Sequence, residues 1–269
     1  MALRASIGQY YSANSAIHRL DPRAKLVATV AFMVSCFFVH SLAGLAMAGV
    51  AVGSCVALAN VPAGRLLSQI KPIALFLFIT SFINLFFVQT GQELVGFGPI
   101  RIFSGGVEAA ILYTVRFFLL LIAGSLLMLT TTPTALTDGA AKLLAPLECL
   151  GVPVSQGALV LSIALRFVPT LAQEADNIVA AQTARGADLE NKGALAYARA
   201  CVPLVVPLFA SALRHADNLG RALDARCYTG DASRTHYHEM RFSPRADGPF
   251  AAACLAYLAA LCAINLLGI

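Results

Sequence analysis

Several runs of about twenty apolar residues recur along this chain, and each is long enough to span the hydrocarbon core of a bilayer. We place them at about 24–40, 42–60, 71–89, 107–132 and 249–267. Hydrophobic residues make up 58% of the chain and charged residues only 12%, roughly half the charged share of a soluble domain. The expected fold class is an all-α integral membrane protein with about five transmembrane helices. The first 23 residues are polar and charged, with no apolar stretch or cleavage site, so insertion is expected to rely on the spans themselves.

Positive charge sets the expected topology. Arg4, Arg19, Arg23 and Lys25 precede or open the first span, Arg65 and Lys71 follow the second, and Arg101 stands alone after the third. The positive-inside rule then places the N-terminus in the cytoplasm. Residues 133–248, which hold eleven of the nineteen Lys and Arg residues, fall on the same side. The organisation expected is a cytoplasmic tail (1–23), a four-helix membrane region (24–132), a cytoplasmic domain of long amphipathic helices (133–248) and a final membrane helix (249–269). Glu108 and Arg116 lie near the start of the fourth span; we expect Arg116 to snorkel to the outer interface rather than to form a relay.

The 133–248 block reads as helices. Leu136, Ala140, Leu143, Leu144 and Leu147 recur at helical spacing after Pro133, which predicts a short amphipathic helix along the membrane surface. A second helix, about 155–185, carries the seam Leu161, Leu165, Val168, Ala172, Ala175 and Val179, with Pro169 as an expected kink and Gly186 as its stop. A third, about 207–226, carries Leu213, Ala216, Gly220 and Leu223, the small residues suiting close approach of another backbone. Pro203 and Pro207 interrupt the apolar stretch before it.

The ends of the last two helices repeat. Residues 175–186 read ADNIVAAQTARG and residues 216–227 read ADNLGRALDARC, so six of twelve positions are identical at a shift of 41. Each copy delivers an arginine, Arg185 or Arg226, at a helix C-terminus. The helix dipole favours a cation there, and the guanidinium fork suits carboxylates and backbone carbonyls. One such arginine would read as a cap of its own helix. Two, on two repeated approach helices, point to docking in a partner with two equivalent sockets. Asp176, Asn177, Asp217 and Asn218 recur in both copies and either pair between the helices, face partners or stay solvated. Arg166 suits a contact with a partner or with lipid headgroups. His236 and His238 are taken as surface residues; four of the seven cysteines sit in apolar runs, where Cys is a small buried hydrophobe, and no metal or disulfide framework is expected of the set.

These motifs resemble the T component of energy-coupling factor (ECF) transporters, the EcfT/CbiQ family. The resemblance covers nearly the whole chain. It rests on Ile7-Gly8-Gln9-Tyr10, on Ser15 with His18-Arg19-Leu20-Asp21-Pro22-Arg23-Ala24-Lys25-Leu26, on Thr131-Thr132-Pro133, on Leu165-Arg166-Phe167-Val168-Pro169-Thr170, and on Ala184-Arg185-Gly186 and Ala225-Arg226-Cys227-Tyr228. The family's usual form of the last two is Ala-Arg-Gly, and Cys227 departs from it. The resemblance implies a non-catalytic scaffold in the bacterial cell membrane. Two ABC-type ATPases dock on its two arginine motifs, and its long helices cradle a membrane subunit that binds a vitamin or other micronutrient. ATP and magnesium would be used by the partner ATPases, with no cofactor bound directly and no nucleic-acid partner. It looks most like the group whose members serve several substrate subunits. The alternatives are a dedicated subunit of one biotin, cobalt or nickel importer, and, from another class, a stand-alone secondary transporter. The chain has no G-x-x-x-x-G-K-[ST] phosphate loop, nor the polar midplane residues that a secondary transporter needs.

Overall fold

The computed structural model describes residues 10–11, 13, 15–39, 41–88, 90–97, 100–186, 194–230 and 244–267. In chain order the elements are α1 (Pro22–Phe37), α2 (Leu42–Ala59), α3 (Ala63–Phe87), β1 (Glu93–Phe97), β2 (Ile100–Phe103), α4 (Ser104–Thr130), α5 (Pro133–Leu144), a 3-10 turn (Ala145–Leu150), α6 (Val154–Ala184), α7 (Ala194–Ala225) and α8 (Pro244–Leu267). The fold is all-α, as expected, with one addition: a short antiparallel hairpin, β1 with β2, joins α3 to α4. The described residues fall into two compact units, one within Gln9–Leu143 and Glu239–Ile269, the other within Leu144–His238.

In the first unit α4 is central, packing on α1, α2 and α3, and α8 closes over α1 and α2. Local chemistry fixes where the helices start. The Asp21 carboxylate accepts from the Arg23 N–H at 2.9 Å, with Pro22 in the first turn; Ser41 Oγ accepts from the Gly44 N–H at 3.2 Å. Both satisfy amide donors that a helix start leaves orphaned. Gly106, at the start of α4, lies tight against the end of α3: a Cβ there would sit 2.7 Å from the Leu85 carbonyl and 2.9 Å from that of Val88.

Polar bonds tie α1 to its neighbours at both ends. At one end the Lys25 ammonium donates to the carbonyls of His18 (3.2 Å) and Thr130 (3.1 Å). Beside it the Asp21 N–H donates to Asp247 Oδ1 at 2.8 Å. Asp21, Lys25 and Asp247 are all buried, Asp247 to 1% exposure. At the other end Arg116 donates to the Val39 carbonyl and Asn265 to the Phe38 carbonyl (3.0 Å). Between them Ser35 Oγ and Tyr257 Oη lie 3.2 Å apart. Thus α1 runs antiparallel to α4 and parallel to α8. Arg116 is 8% exposed, so it does not snorkel as expected. Its guanidinium instead satisfies a carbonyl just past the end of α1. The basic segment from His18 to Lys25 is likewise more than a topology signal: it is the knot that joins α1, α4 and α8.

Among the described residues four helices are long and apolar enough to cross a membrane: Leu42–Ala59, Ser104–Thr130, Val154–Ala184 and Asp247–Asn265. Three coincide with expected spans. The run at 24–40 is helical only over Pro22–Phe37, 16 residues, and the apolar part of α3 is the shorter stretch Lys71–Phe87. The fourth, α6, was expected in the cytoplasmic block. Its apolar seam makes it pass on length and hydropathy despite Arg166, Glu174 and Asp176. The predicted surface helix is α5, which packs within the first unit, a Cβ at Gly139 lying 3.3 Å from the Pro22 ring. The second compact unit therefore begins at Leu144 rather than at 133.

Candidate docking site

The second unit is built on α6 and α7. Glu148 on the 3-10 turn starts α6: its Oε1 accepts from the Ser155 N–H at 2.8 Å and from the Ser155 hydroxyl. These bonds hold its carboxyl below the ordinary carboxylate range. α7 runs unbroken through Pro203 and Pro207, where the sequence suggested an interruption. Prolines four apart remove amides from one side of the helix only, and the remaining bonds carry it through.

Both helices end in the same way. At α7 the Cys227 N–H donates to the Asp224 carbonyl (2.9 Å) and the Tyr228 N–H to the Leu223 carbonyl (3.0 Å), the paired bonds of a Schellman cap. At α6 the Gly186 N–H donates to the Thr183 carbonyl at 2.9 Å, the equivalent bond. Gly186 has φ +87° and Cys227 φ +54°, both left-handed. Cys227 therefore does the conformational work of the glycine it replaces, at the strain an L-residue meets there. Arg185 and Arg226 are the last residues before these turns, and both are exposed. Each arginine stands at the C-terminal end of its helix, where negative partial charge gathers. The repeated motif thus produces repeated geometry: Ala184, Arg185 and Gly186 at one helix end, Ala225, Arg226 and Cys227 at the other, all exposed.

The other expected residues distribute differently. Arg166 and Pro169 are exposed on α6. Asp176 is half-buried, while Asn177, Asp217 and Asn218 are exposed. The polar link between the two helices lies elsewhere, at Glu174. Its Oε1 accepts from the hydroxyl of Ser211, and its Oε2, shut off from solvent, lies 3.4 Å from His215 Nε2. Phe167 packs against the His215 ring, with centroids 5.9 Å apart. Sequence reasoning missed Glu174, Ser211 and His215, although Glu174 and His215 each stand directly before an Ala-Asp-Asn. The expected close approach at Ala216 and Gly220 is not made within the described residues: a Cβ at Gly220 would meet nothing within 4 Å. Val202, Val205, Val206, Phe209 and Leu213 form an exposed apolar face along α7. His236 and His238, and Ile7, Gly8 and Gln9, lie outside the described residues.

Known proteins resemble this chain in sequence. The profile of the cobalt transport protein family, CbiQ, matches residues 13–237. An energy-coupling factor transporter transmembrane protein EcfT of Thermosediminibacter oceani is 40% identical over 88% of this chain and 89% of its own length. The EcfT of Bacillus subtilis is 38% identical over 87% of this chain and 88% of its own. An ABC transporter ATP-binding protein of Bifidobacterium longum is 45% identical over 94% of this chain; this chain spans 32% of that protein's length. With the family profile covering most of its length and full-length relatives near 40% identity, the chain belongs to the CbiQ/EcfT family, the transmembrane T components of energy-coupling factor transporters.

Proposed function

We propose that this T component couples two ABC-type ATPases, held at Arg185 and Arg226, to a separate membrane subunit that binds a vitamin or other micronutrient. The observation that carries this is the duplicated helix end: two exposed arginines at the same position of two left-handed caps. A partner with paired sockets would meet two forks of the same chemistry. The relative named as an ATP-binding protein holds a region like this chain within a longer polypeptide, which favours ATPases as those partners. The apolar face of α7, from Val202 to Leu213, suits a membrane-embedded subunit. Nucleotide and magnesium belong to the partners, and this chain does no chemistry of its own.

The N-terminus and the α6–α7 unit are placed in the cytoplasm, on the positive-inside bias. Were α6 to cross the bilayer alone, Arg185 and Arg226 would both stand on the outer face, where no cytoplasmic ATPase could meet either. α1 and α3 are read as crossing with α4, because each packs along it. Short spans are accommodated by local thinning and by flanking polar residues.

The test is co-purification from detergent-solubilised membranes of the chain co-expressed with its ATPase pair, as wild type and as Arg185→Ala with Arg226→Ala. Wild type retains both ATPases, and the double variant inserts but loses them. Retention by the double variant sinks the docking assignment.

A further inference from the structure

The contact between α6 and α7 has a symmetry that the repeat makes visible. The repeat offset is 41 residues, and it places Glu174 and His215 at equivalent positions. These two residues face each other, 3.4 Å apart. Ser211, whose hydroxyl donates to Glu174, is equivalent to Thr170, also a hydroxyl. Contact between equivalent positions of two copies is what a local two-fold relation produces, as in an isologous interface. The contact point then lies on the axis. Eleven residues beyond Glu174 stands Arg185, and eleven beyond His215 stands Arg226. At ~1.5 Å per residue each arm is about 16 Å long.

We infer that Glu174 and His215 form the pivot of a pseudo-two-fold pair of levers, fixing how far apart the two arginine ends are held. Neither residue touches an ATPase in this scheme; both are positioning residues, and the scheme's functional meaning rests on the docking reading above. A true two-fold contact would set like residues against each other. Two glutamates would repel, and two histidines would take away the carboxylate that accepts from Ser211. The chain instead carries an acid in one copy and a base in the other. Glu174 reaches two residues one turn apart on α7, Ser211 and His215, so it restrains sliding as well as separation. Ser211 is 5% exposed and Glu174 Oε2 is closed to water. Loss of the carboxylate therefore leaves a buried hydroxyl without its acceptor.

The two-fold relation makes a prediction that simple packing does not. Exchange of the pair, Glu174→His with His215→Glu, moves the carboxylate to the other helix, opposite exposed Thr170, the repeat equivalent of Ser211 and a hydroxyl donor on α6. The exchange should therefore rebuild the pivot.

The arm separation can be read directly with spin labels at Ala181→Cys and Ala222→Cys. These are exposed, repeat-equivalent positions, and the native cysteines would be replaced. Distances are measured on the full chain in detergent, alone and with its ATPases. The expected result is one narrow distance in the parent, its loss in Glu174→Ala and in His215→Ala, and its return in the exchanged double variant. Glu174→Gln, which keeps shape and the Ser211 bond, is expected to fall between and guards against misfolding of the alanine variants. A narrow, unchanged distance in both alanine variants overturns the pivot, as does an exchanged variant no better than the single ones. ATPase retention by the Arg185→Ala, Arg226→Ala chain judges docking separately, since the distance readout needs no ATPase.

Discussion

Gly186→Ala isolates the conformational part of the proposed docking motif. A Cβ at this position meets nothing within 4 Å, so the substitution creates no clash. What it changes is the backbone: φ is +87°, where an L-residue is strained by about 1–2 kcal/mol. Alanine returns about 0.4–1 kcal/mol by narrowing the unfolded ensemble. The net loss is about 1 kcal/mol, or about five-fold in the population of the closed cap. Amide hydrogen exchange of peptides covering 181–186, followed by mass spectrometry, should show up to about five-fold faster opening of the last turn. ATPase affinity should weaken by no more than the same factor. Cys227→Gly is the reciprocal change: strain is removed at φ +54°, and the end of α7 should become harder to open. The reasoning fails if exchange in Gly186→Ala is unaltered. It fails equally if ATPase binding drops a hundred-fold, which backbone strain of this size cannot supply and which would mean that the bare glycine surface touches the partner.

Asp247→Ala leaves Lys25 buried beside a single carboxylate and removes the acceptor of the Asp21 N–H; the expected loss is on the order of 3–5 kcal/mol, read as a lower unfolding midpoint in detergent and partly recovered by Lys25→Met. Glu148→Gln should loosen the first turn of α6, measured by exchange at 155–158. Because the Ser155 bonds lower the folded-state value of Glu148, its contribution is complete above the ordinary carboxylate range. That contribution is lost as pH falls through the lowered value, so protection of this turn should fade in acid in the parent and respond less in the variant.

What could be read in the sequence, and what could not, follows from the range of the forces involved. The ends of α6 and α7 were legible because caps are local: an arginine followed by Gly186 already specifies the turn. The spans over α2, α4 and α8 were legible because a bilayer demands a contiguous apolar run. Arg116 was misread because its partner, the Val39 carbonyl, lies 77 residues away, and backbone acceptors leave no trace in sequence. The Glu174–His215 contact was missed for a different reason. Comparison of the repeats weighed identities, whereas the informative positions were complementary. The seam from Leu161 to Val179 was read correctly as helical, but no residue of α6 is buried; periodicity reports a face and not its occupant. The hairpin before α4 carries no alternating pattern strong enough to announce it.

The knot at Asp21, Lys25 and Asp247 also sets the order of biogenesis. The Asp21 to Asp247 bond closes across 226 residues, and the Ser35 to Tyr257 and Asn265 to Phe38 contacts across 222 and 227. A chain leaving the ribosome N-terminus first inserts α1 long before α8 exists. Until then the Asp21 N–H lacks Asp247, and buried Lys25 has only Asp21 and the carbonyls of His18 and Thr130 about it. The first helix is thus completed by the last. A nascent or truncated chain that lacks α8 leaves the Asp21 N–H without its acceptor and Lys25 short of one carboxylate, a mark by which unfinished copies differ from finished ones.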